Sequence, residues 1–386
     1  MAAMITAPRL MAIGGGALAE LPTLLARLGL GRPLIVTDPY IAQCGILDRA
    51  TALLDGAKIP WSVFSDTVPD PTTEAIETGV ARLKTGDFDS LVAIGGGSSI
   101  DTAKGMSVLD ANGGQMRDWK VPNDIPKVGL PLVAIPTTAG TGSEVTRFTV
   151  VTDTATDEKM LIAGLACCPV AAIVDFELTL SMPLRLTADT GIDSLTHAIE
   201  AYVSRRASPY TDGLAKNAMG LIARNIRTAC AAPDNRAARE AMMLGAMTAG
   251  MAFSNASVAL VHGMSRPIGA FFHVPHGLSN AMLLPEITAF SAPAALERYA
   301  DCARAMGVAE EGEGSQAAVA RLLDELRRLN DDLKVPSPRA YGIPRARYDE
   351  LLPVMADQAL ASGSPANNPR VPSSEEIIEL YRRVYD

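Results

Sequence analysis

The first 183 residues alternate short apolar runs with longer amphipathic stretches. Five runs contain almost no polar residue, which is typical of strands in a sheet covered on both faces. They predict strands at residues 33–37, 61–64, 90–94, 132–135 and 172–174. The stretches between them predict helices at residues 18–28, 41–54, 73–85 and 100–109. Because strands and helices alternate, we expect crossover connections and a mostly parallel sheet.

After about residue 183 the pattern changes to helical segments rich in Ala, Leu, Met and Arg, which are good helix formers. These segments predict helices at residues 187–204, 211–231, 237–253, 293–306, 315–329 and 374–385. Ser373 and Glu376 have the spacing of a capping box at the start of the last helix. The sequence therefore predicts an α/β domain over residues 1–183 and an all-α domain over residues 184–386.

Composition narrows the classes of partner. The chain has 386 residues, and its 34 Lys and Arg residues against 43 acidic ones give a net charge of −9, which argues against nucleic acid as the main partner. The sequence has no apolar run long enough to predict a membrane span, and its first residues lack the pattern of a secretory signal. Five cysteines without a CxxC pair favour a reducing, cytoplasmic location.

A glycine-rich segment follows the apolar run that ends at Ile94. Gly95, Gly96 and Gly97 allow a tight turn and a close approach to a ligand, and the helix that starts there offers free amides to an anion. The spacing matches neither of the two common nucleotide fingerprints. Phosphate binding by this loop, with Ser98, and a plain tight turn therefore both stay open. Further on, Asp101 and Lys104 are either functional or an exposed helical pair.

A second polar loop, residues 136–144, follows the strand predicted at 132–135. It contains Thr137, Thr138, Thr141 and Ser143, whose hydroxyls suit a pyrophosphate and a ribose. An ordinary polar loop is the alternative. Ligands of open α/β sheets bind at the carboxyl ends of strands, where both loops are expected.

Asp38 ends the first long apolar run of the chain. A carboxylate in this place accepts from a ribose 2′-hydroxyl and repels a 2′-phosphate, which favours NAD over NADP. The usual order is reversed, since here the acid precedes the glycine loop. The alternative is that Asp38 caps a turn before Pro39.

The helical half contains all the histidines of the chain: His197, His262, His273 and His276. Asp193 lies four residues before His197, so both side chains share one helix face. His262 and His276 flank a stretch with Gly and Pro that we expect to be a loop. One carboxylate and three imidazoles suit Fe(II) or Zn(II), and core histidines with a capping aspartate are the alternative. Three roles stay open for Glu200: it binds the metal, it orients a neighbouring side chain, or it faces solvent.

Five segments together resemble the iron-containing (group III) alcohol dehydrogenases and occur in the family's order over nearly the whole chain. They are GGGSSIDTAKG (95–105), PTTAGTGSE (136–144), LTADTGIDSLTHAIEAYVS (186–204), HGMSRPIGAFFHVPHGLSNAMLLP (262–285) and NPR (368–370).

The resemblance implies a dinucleotide-binding α/β domain, a helical catalytic domain and an active site in the cleft between them, the plan of dehydroquinate synthase-like proteins. It implies metal ligation, commonly of Fe(II) and in some members of Zn(II), by Asp193, His197, His262 and His276. It implies NAD contacts at Asp38, Gly96, Gly97, Ser98, Thr137, Thr138, Val150 and Lys159. To these we add Asp101 and Thr141, which lie in the first two matching segments. Members usually form dimers or larger oligomers.

The expected activity is metal-dependent hydride transfer between NAD(H) and a short-chain primary alcohol or aldehyde. A glycerol or polyol dehydrogenase-like enzyme is one alternative, and a non-catalytic nucleotide-binding protein is the other. The stretch from His262 to Gly277 favours the alcohol dehydrogenase branch. The complete set of four candidate ligands argues against a non-catalytic protein and against a metal-free, maleylacetate reductase-like activity.

The chain departs from its relatives four residues after His262, where many of them carry a histidine assigned to proton relay and this chain has Arg266. An arginine is a poor proton shuttle, so His273 is our candidate replacement, with a surface role as the alternative. Our hypothesis is that Arg266, with Arg147, recognises an anionic group on the substrate. The alternative is that each arginine makes a structural ion pair.

Overall fold

The structure is a computed structural model and describes residues 4–386. The described chain divides into two compact units, Met4–Met182 and Pro183–Asp386. This division falls one residue from the predicted boundary.

The first unit is built on a six-stranded sheet in which every neighbouring pair is parallel, which confirms the predicted mostly parallel sheet. Its strands lie in the order β1-β8-β5-β4-β2-β3. Their bounds are β1 Leu10–Ile13, β2 Pro33–Val36, β3 Ser62–Phe64, β4 Ser90–Gly95, β5 Leu132–Pro136 and β8 Ala171–Val174.

Four helices cover the two faces of this sheet. They are α1 Leu21–Leu28, α2 Ile46–Gly56, α3 Thr73–Leu83 and α4 Gly97–Asn112. Because successive side chains of a strand point to opposite faces, Leu34 and Val36 join the core with α3 and α4, whereas Ile35 joins the core with α1 and α2. The central strands are buried on both sides, and their sequences are therefore continuously apolar.

Three strands were not predicted from the sequence: β1, β6 Phe148–Asp153 and β7 Glu158–Ala163. The edge strand β1 alternates half-buried and exposed residues. The antiparallel hairpin of β6 and β7 buries alternate residues, and its strands, FTVVTD and EKMLIA, mix polar and apolar residues.

The second unit is all-α, as predicted. Its helices are α5 Leu184–Val203, α6 Pro209–Ala231, α7 Arg236–Ala256, α8 Leu260–Phe272, α9 His276–Ser291, α10 Leu296–Met306, α11 Ser315–Asp332, α12 Pro338–Tyr341, α13 Arg345–Ala361 and α14 Ser374–Val384. The capping box of α14 is confirmed, because Ser373 Oγ accepts from Glu376 N and Glu376 Oε2 accepts from Ser373 N.

The prediction of a loop between His262 and His276 is wrong. Helix α8 continues through Pro267 to Phe272, and α9 begins at His276. Residues 260–270 are all buried, so their packing outweighs the hydrogen bond that Pro267 cannot donate. Only residues 273–275 separate the two helices.

Among residues 4–386, no single helix is long and apolar enough to cross a membrane. One bent pair, α7 with α8 at 104°, reaches the required length and composition only when the two helices are counted together.

Candidate active site

Four side chains of the helical unit converge on one point. The donor atoms of Asp193, His197, His262 and His276 all lie within 4.8 Å of one another. The Oδ1 atom of Asp193 is 3.4 Å from Nε2 of His262 and 3.8 Å from Nε2 of both His197 and His276. The four residues predicted as metal ligands are therefore brought together.

Three helices supply these donors. Asp193 and His197 lie one turn apart on α5, as their spacing predicted. His262 lies in the first turn of α8, and His276 is the first residue of α9. Asp193, His197 and His262 are buried, and the His276 side chain keeps 33% of its surface exposed. The donor set is thus closed to solvent except on the side of His276.

Glu200 fixes the ring of His262 from the side away from the other donors. Its Oε2 lies 2.6 Å from His262 Nδ1 and accepts from the backbone N–H of Ala259, while Oε1 accepts from the N–H of Val261. We assign the His262 proton to Nδ1 because that atom faces a carboxylate, which leaves the Nε2 lone pair for a cation. Of the roles left open for Glu200, orientation of a neighbour agrees with these contacts.

Asn280, one turn after His276 on α9, was not among the predicted site residues. Its buried amide Nδ2 donates to Asp193 Oδ1 at 2.7 Å and lies 3.1 Å from His262 Nε2 and 3.3 Å from His276 Nε2. Its Oδ1 is buried without a hydrogen-bond partner among residues 4–386. The i, i+4 spacing from His276 is the sequence signal that points to it.

An aromatic ring completes the wall of the cluster. Phe253 of α7 stacks on the His197 ring, with the ring centroids 4.1 Å apart, and the His197 and His262 rings are themselves stacked at 4.5 Å. These contacts restrict the rotation of both imidazoles, so the donor atoms are held in place by packing as well as by hydrogen bonds.

The electrostatics of the cluster favour an ionised carboxylate. Burial alone would raise the pKa of Asp193, but the imidazoles of His197, His276 and His262 outweigh it and hold this pKa well below its ordinary value. Burial opposes the charged form of His262, yet the Glu200 and Asp193 carboxylates raise its pKa. One anionic oxygen beside three imidazole nitrogens is a donor set for a divalent cation.

The donor spacing fits such an ion. Bonds of about 2.1 Å in a tetrahedral site place neighbouring donors about 3.4 Å apart. The observed 3.4–3.8 Å from Asp193 Oδ1 to the three Nε2 atoms is close to that value. The residues present therefore fit Fe(II) or Zn(II).

In the α/β unit, the two polar loops lie side by side. Strands β4 and β5 are neighbours, Gly95 pairs with Pro136, and the N–H of Thr137 donates to the carbonyl of Gly95. Asp38 follows β2, the neighbour of β4 on the other side. The three segments predicted to contact a nucleotide thus occupy adjacent carboxyl ends of the sheet, where open α/β sheets bind ligands.

The close packing of these loops depends on glycine. A Cβ atom at Gly97 would lie 2.7 Å from Thr141 Cγ2, and one at Gly95, where φ is +156°, would lie 2.4 Å from Ser99 Oγ. Helix α4 begins after Gly96, and no side chain in the described chain caps its first amides. These free N–H groups, beside a backbone without side chains, fit the pyrophosphate of a dinucleotide.

The remaining predicted cofactor residues lie around these loops. Asp38 accepts from the backbone N–H groups of Tyr40 and Ile41 through Oδ1, and its Oδ2 accepts from Ser99 Oγ. The turn-capping alternative for Asp38 is therefore realised, and Oδ2 remains at the glycine loop. Lys159 of β7 pairs with Asp70, whose backbone N–H donates to Ser98 Oγ.

Asp101 and Lys104 form a buried network, which excludes the exposed helical pair. Lys104 Nζ donates to the carbonyls of Ser143, Thr146 and Phe148 at 2.7–3.1 Å, and also reaches the Ser143 and Thr146 hydroxyls. Asp101 accepts from Ser143 Oγ and from the N–H of Val150. Both side chains tie α4 to the second loop and to β6.

Neither of the two residues predicted for catalysis belongs to the four-residue donor set. His273 is exposed at the end of α8, in a left-handed conformation, and is not a member of the four-residue cluster. The predicted relay role therefore gains no support from its position. Arg266 is buried on α8 and donates to Ser364 Oγ. Arg147, in the α/β unit, packs its guanidinium over the Phe148 ring.

Two polar loops at the carboxyl ends of the sheet and a carboxylate–imidazole donor set in the helical unit are the parts that a metal-dependent dehydrogenase requires. Residues 8–176 match the family model for iron-containing alcohol dehydrogenase, and residues 187–385 match the model for the C-terminal part of that family. The chain belongs to the iron-containing alcohol dehydrogenase family.

Named relatives agree with this assignment. The chain is 37% identical over 374 residues to lactaldehyde reductase of Escherichia coli, covering 96% of this chain and 97% of that protein. It is 37% identical over 376 residues to NAD-dependent methanol dehydrogenase of Bacillus methanolicus, covering 97% and 98%. The crystal structure of a 1,3-propanediol oxidoreductase matches with a TM-score of 0.95 and 34% identity, over 100% of both chains.

These matches confirm the predicted two-domain fold and the predicted enzyme class, an NAD-dependent, iron-containing alcohol dehydrogenase.

Proposed function

We propose that this chain interconverts short primary alcohols and aldehydes, with NAD(H) as the hydride carrier and a divalent cation held by Asp193, His197, His262 and His276. The main support for this proposal is that the donor atoms of these four residues lie within 4.8 Å of one another. The methanol and lactaldehyde named in two relatives support a short-chain substrate. We propose Fe(II) as the cation, with Zn(II) as the alternative.

The protein's own part in the reaction is to hold and orient. A bound divalent cation supplies Lewis-acid chemistry at the substrate oxygen, and NAD supplies the hydride acceptor. Glu200 keeps the lone pair of His262 Nε2 turned toward the cation site, and Asn280 holds Asp193 Oδ1. The buried surroundings of Asp193, His197 and His262 exclude water from the donors, and a small substrate reaches the set beside His276.

For the cofactor, we propose that the amides at the start of α4 and the loop hydroxyls bind the pyrophosphate and the ribose beside it. Asp38 binds the adenosine ribose hydroxyls, which favours NAD over NADP. The other contacts are those predicted: Gly96, Gly97, Ser98, Thr137, Thr138, Thr141, Val150 and Lys159. We now propose Asp101 as a positioning residue, because its carboxylate binds Val150 N and Ser143 Oγ of the protein itself.

Reconstitution tests this function. Purified protein is stripped with a chelator, reloaded anaerobically with Fe(II) or Zn(II), and assayed for NADH formation from propan-1-ol. We expect about one ion per chain, activity only after reloading, and loss of both the ion and the activity in Asp193→Ala. Asp189→Asn, one turn before Asp193 and paired with Arg185, is the control and should keep its metal. Full activity in chelated protein, or in Asp193→Ala, would exclude the proposed site.

We propose a cytoplasmic homo-oligomer that uses neither nucleic acid nor membrane as a partner. All five cysteines are free, as in a reducing compartment. The edge strand β1 exposes Met11 and Ile13, with 37% and 49% of their surface accessible, and unpaired strand edges with apolar side chains favour self-association. Sedimentation analysis of the purified protein measures the assembly state, and a monomer at micromolar concentration would contradict the proposed oligomer.

A further inference from the structure

Arg266 is a buried cation in the same helix as a metal donor. It lies one turn after His262 on α8, and only 7% of its surface is exposed. Side chains four residues apart leave a helix on the same face, so Arg266 starts from the face that carries His262. A guanidinium remains charged in proteins. A full positive charge is therefore enclosed in the helical unit, one helical turn from a proposed metal donor.

The protein gives this charge few partners. Nη1 donates to the Ser364 hydroxyl at 3.0 Å, and Nε is buried with no partner among residues 4–386. Within that described chain, no carboxylate oxygen lies within 4.0 Å of the Arg266 guanidinium, the distance that defines an ion pair, although buried Lys104 lies at that distance from Asp101. A buried arginine normally has a carboxylate against it.

Among residues 4–386, Glu200 is the acidic group whose charge stabilises Arg266, and its oxygens already bind other groups. Its oxygens bind His262 Nδ1 and the N–H groups of Ala259 and Val261. Burial lowers the pKa of Arg266 to about 10, and the Glu200 charge only partly opposes this. The structure thus leaves a desolvated guanidinium without a counter-charge of its own, an arrangement that costs folding free energy.

We propose that Arg266 receives the counter-charge from the substrate, which carries a carboxylate, sulfonate or phosphonate group. This inference rests on the proposed function, because it assigns the substrate class of that same site. The planar guanidinium presents several N–H groups to such an anion. Arg266 lies about 6 Å along α8 from His262, so we propose a short substrate that carries both the reacting oxygen and the anionic group.

The test compares chain-matched substrates that differ in charge. With the metal-loaded, full-length enzyme and NADH, kcat/KM is measured for succinic semialdehyde against butanal and for sulfoacetaldehyde against propanal. We expect kcat/KM to be at least about tenfold higher for the anionic member of each pair. This factor corresponds to the lower end of the free energy of a hydrogen bond to a charged group. Arg266→Gln should reduce this ratio to about one, and Arg266→Lys should keep part of it.

Arg239→Gln is the matched control. Arg239 is also a buried arginine of the helical unit, but it donates to the Pro233 carbonyl and the Thr187 hydroxyl. Its loss lowers stability without affecting charge selectivity, so a ratio that falls equally in both variants would overturn the proposal. If Arg266→Gln does not fold, Ser364→Ala, which removes the hydroxyl that holds Nη1, should reduce the ratio instead.

Ligand binding gives a second readout that does not depend on turnover. Propane-1-sulfonate should raise the Tm of the metal-loaded, NADH-saturated wild type but not that of Arg266→Gln, and butan-1-ol should affect the two proteins equally. A wild type that reduces charged and uncharged aldehydes equally well overturns the anion site and leaves the proposed function standing. A wild type inactive on every aldehyde overturns the proposed function, and the sulfonate shift then decides the Arg266 site alone.

Discussion

The Nδ1 atom of His262 lies 2.6 Å from the Oε2 atom of Glu200, and both side chains are buried. The carboxylate is held in turn by the N–H groups of Ala259 and Val261 at the start of α8. The start of helix α8 therefore holds the carboxylate that orients His262, the proposed metal donor of the same helix. In metal sites, such outer partners select the tautomer of the histidine and increase its basicity.

Glu200→Gln should weaken metal binding by about 10- to 100-fold, because the amide no longer provides an anionic acceptor for the Nδ1 proton of His262. The dissociation constant for Zn(II) is measured by competition with a chromophoric chelator. Glu177→Gln, a change in the α/β unit, serves as the control for loss of a glutamate. Unchanged Zn(II) affinity in Glu200→Gln would contradict the orienting role.

Asn280→Asp should make stability more dependent on metal. The new carboxylate would place a second negative charge within about 3 Å of Asp193 Oδ1, where Nδ2 now donates at 2.7 Å. Chelated protein should lose several degrees of Tm, and Zn(II) should restore most of that loss. Asn280→Ala, which removes the hydrogen bond without adding charge, should lower Tm in both conditions. Equal Zn(II) stabilisation of wild type and Asn280→Asp would refute this role.

The four side chains that converge in the helical unit could be predicted from the sequence, whereas the residues that hold them in place could not. Asp193 and His197 are four residues apart on one helix, a local relationship that spacing reveals. Glu200 meets His262 across 62 positions of the sequence, and only the packing of α5 against α8 determines that contact. The side-chain amide of Asn280 is not a typical metal ligand. Its position four residues after His276 therefore does not by itself predict a role in the site.

The fold shows the same division. The buried strands β2, β4, β5 and β8 follow from continuous apolar runs, because both of their faces are covered. The sequence pattern wrongly predicts a loop in place of helix α8, because Gly263 and Pro267 are poor helix formers. Gly263 is explained by a close neighbour, since a Cβ there would lie 2.8 Å from Pro365 Cγ. Such tertiary requirements are not visible in local propensity.

Lys104→Met should weaken NADH binding while leaving the metal site intact. The ammonium group holds the carbonyls of Ser143, Thr146 and Phe148, so its loss frees the second cofactor loop. Breaking a buried ionic contact costs about 3–5 kcal/mol, and we expect a lower Tm together with at least a tenfold higher Kd for NADH. NADH fluorescence titration measures the Kd, and metal analysis should still give wild-type content.

The control for Lys104 is Lys120→Met in the same domain. Lys120 pairs with Glu158 at a partly exposed position, and such pairs contribute little to stability. Lys104→Met protein that binds NADH with wild-type affinity would show that the network serves stability alone.

Glu144 should make stability fall as pH rises toward neutrality. Burial in the second loop raises its pKa from 4.5 to about 7, and the charge of Lys104 opposes this only in part. The folded protein therefore binds this proton more tightly than the unfolded chain does. The resulting stability is complete below about pH 4.5 and is lost as pH rises to about 7. A shift of about 2.5 pKa units corresponds to about 3 kcal/mol.

Glu144→Gln imitates the protonated carboxyl at every pH. Its Tm should match that of wild type near pH 4.5 and exceed it increasingly up to pH 7, after which the difference stays constant. Differential scanning fluorimetry from pH 4.5 to 8.5 measures this, with Glu158→Gln on strand β7 as the control. Asp101 and Lys104 are present in both proteins, so the Tm difference reports Glu144 together with its charge interaction with Lys104. A Tm difference independent of pH would mean that Glu144 is ionised throughout this range.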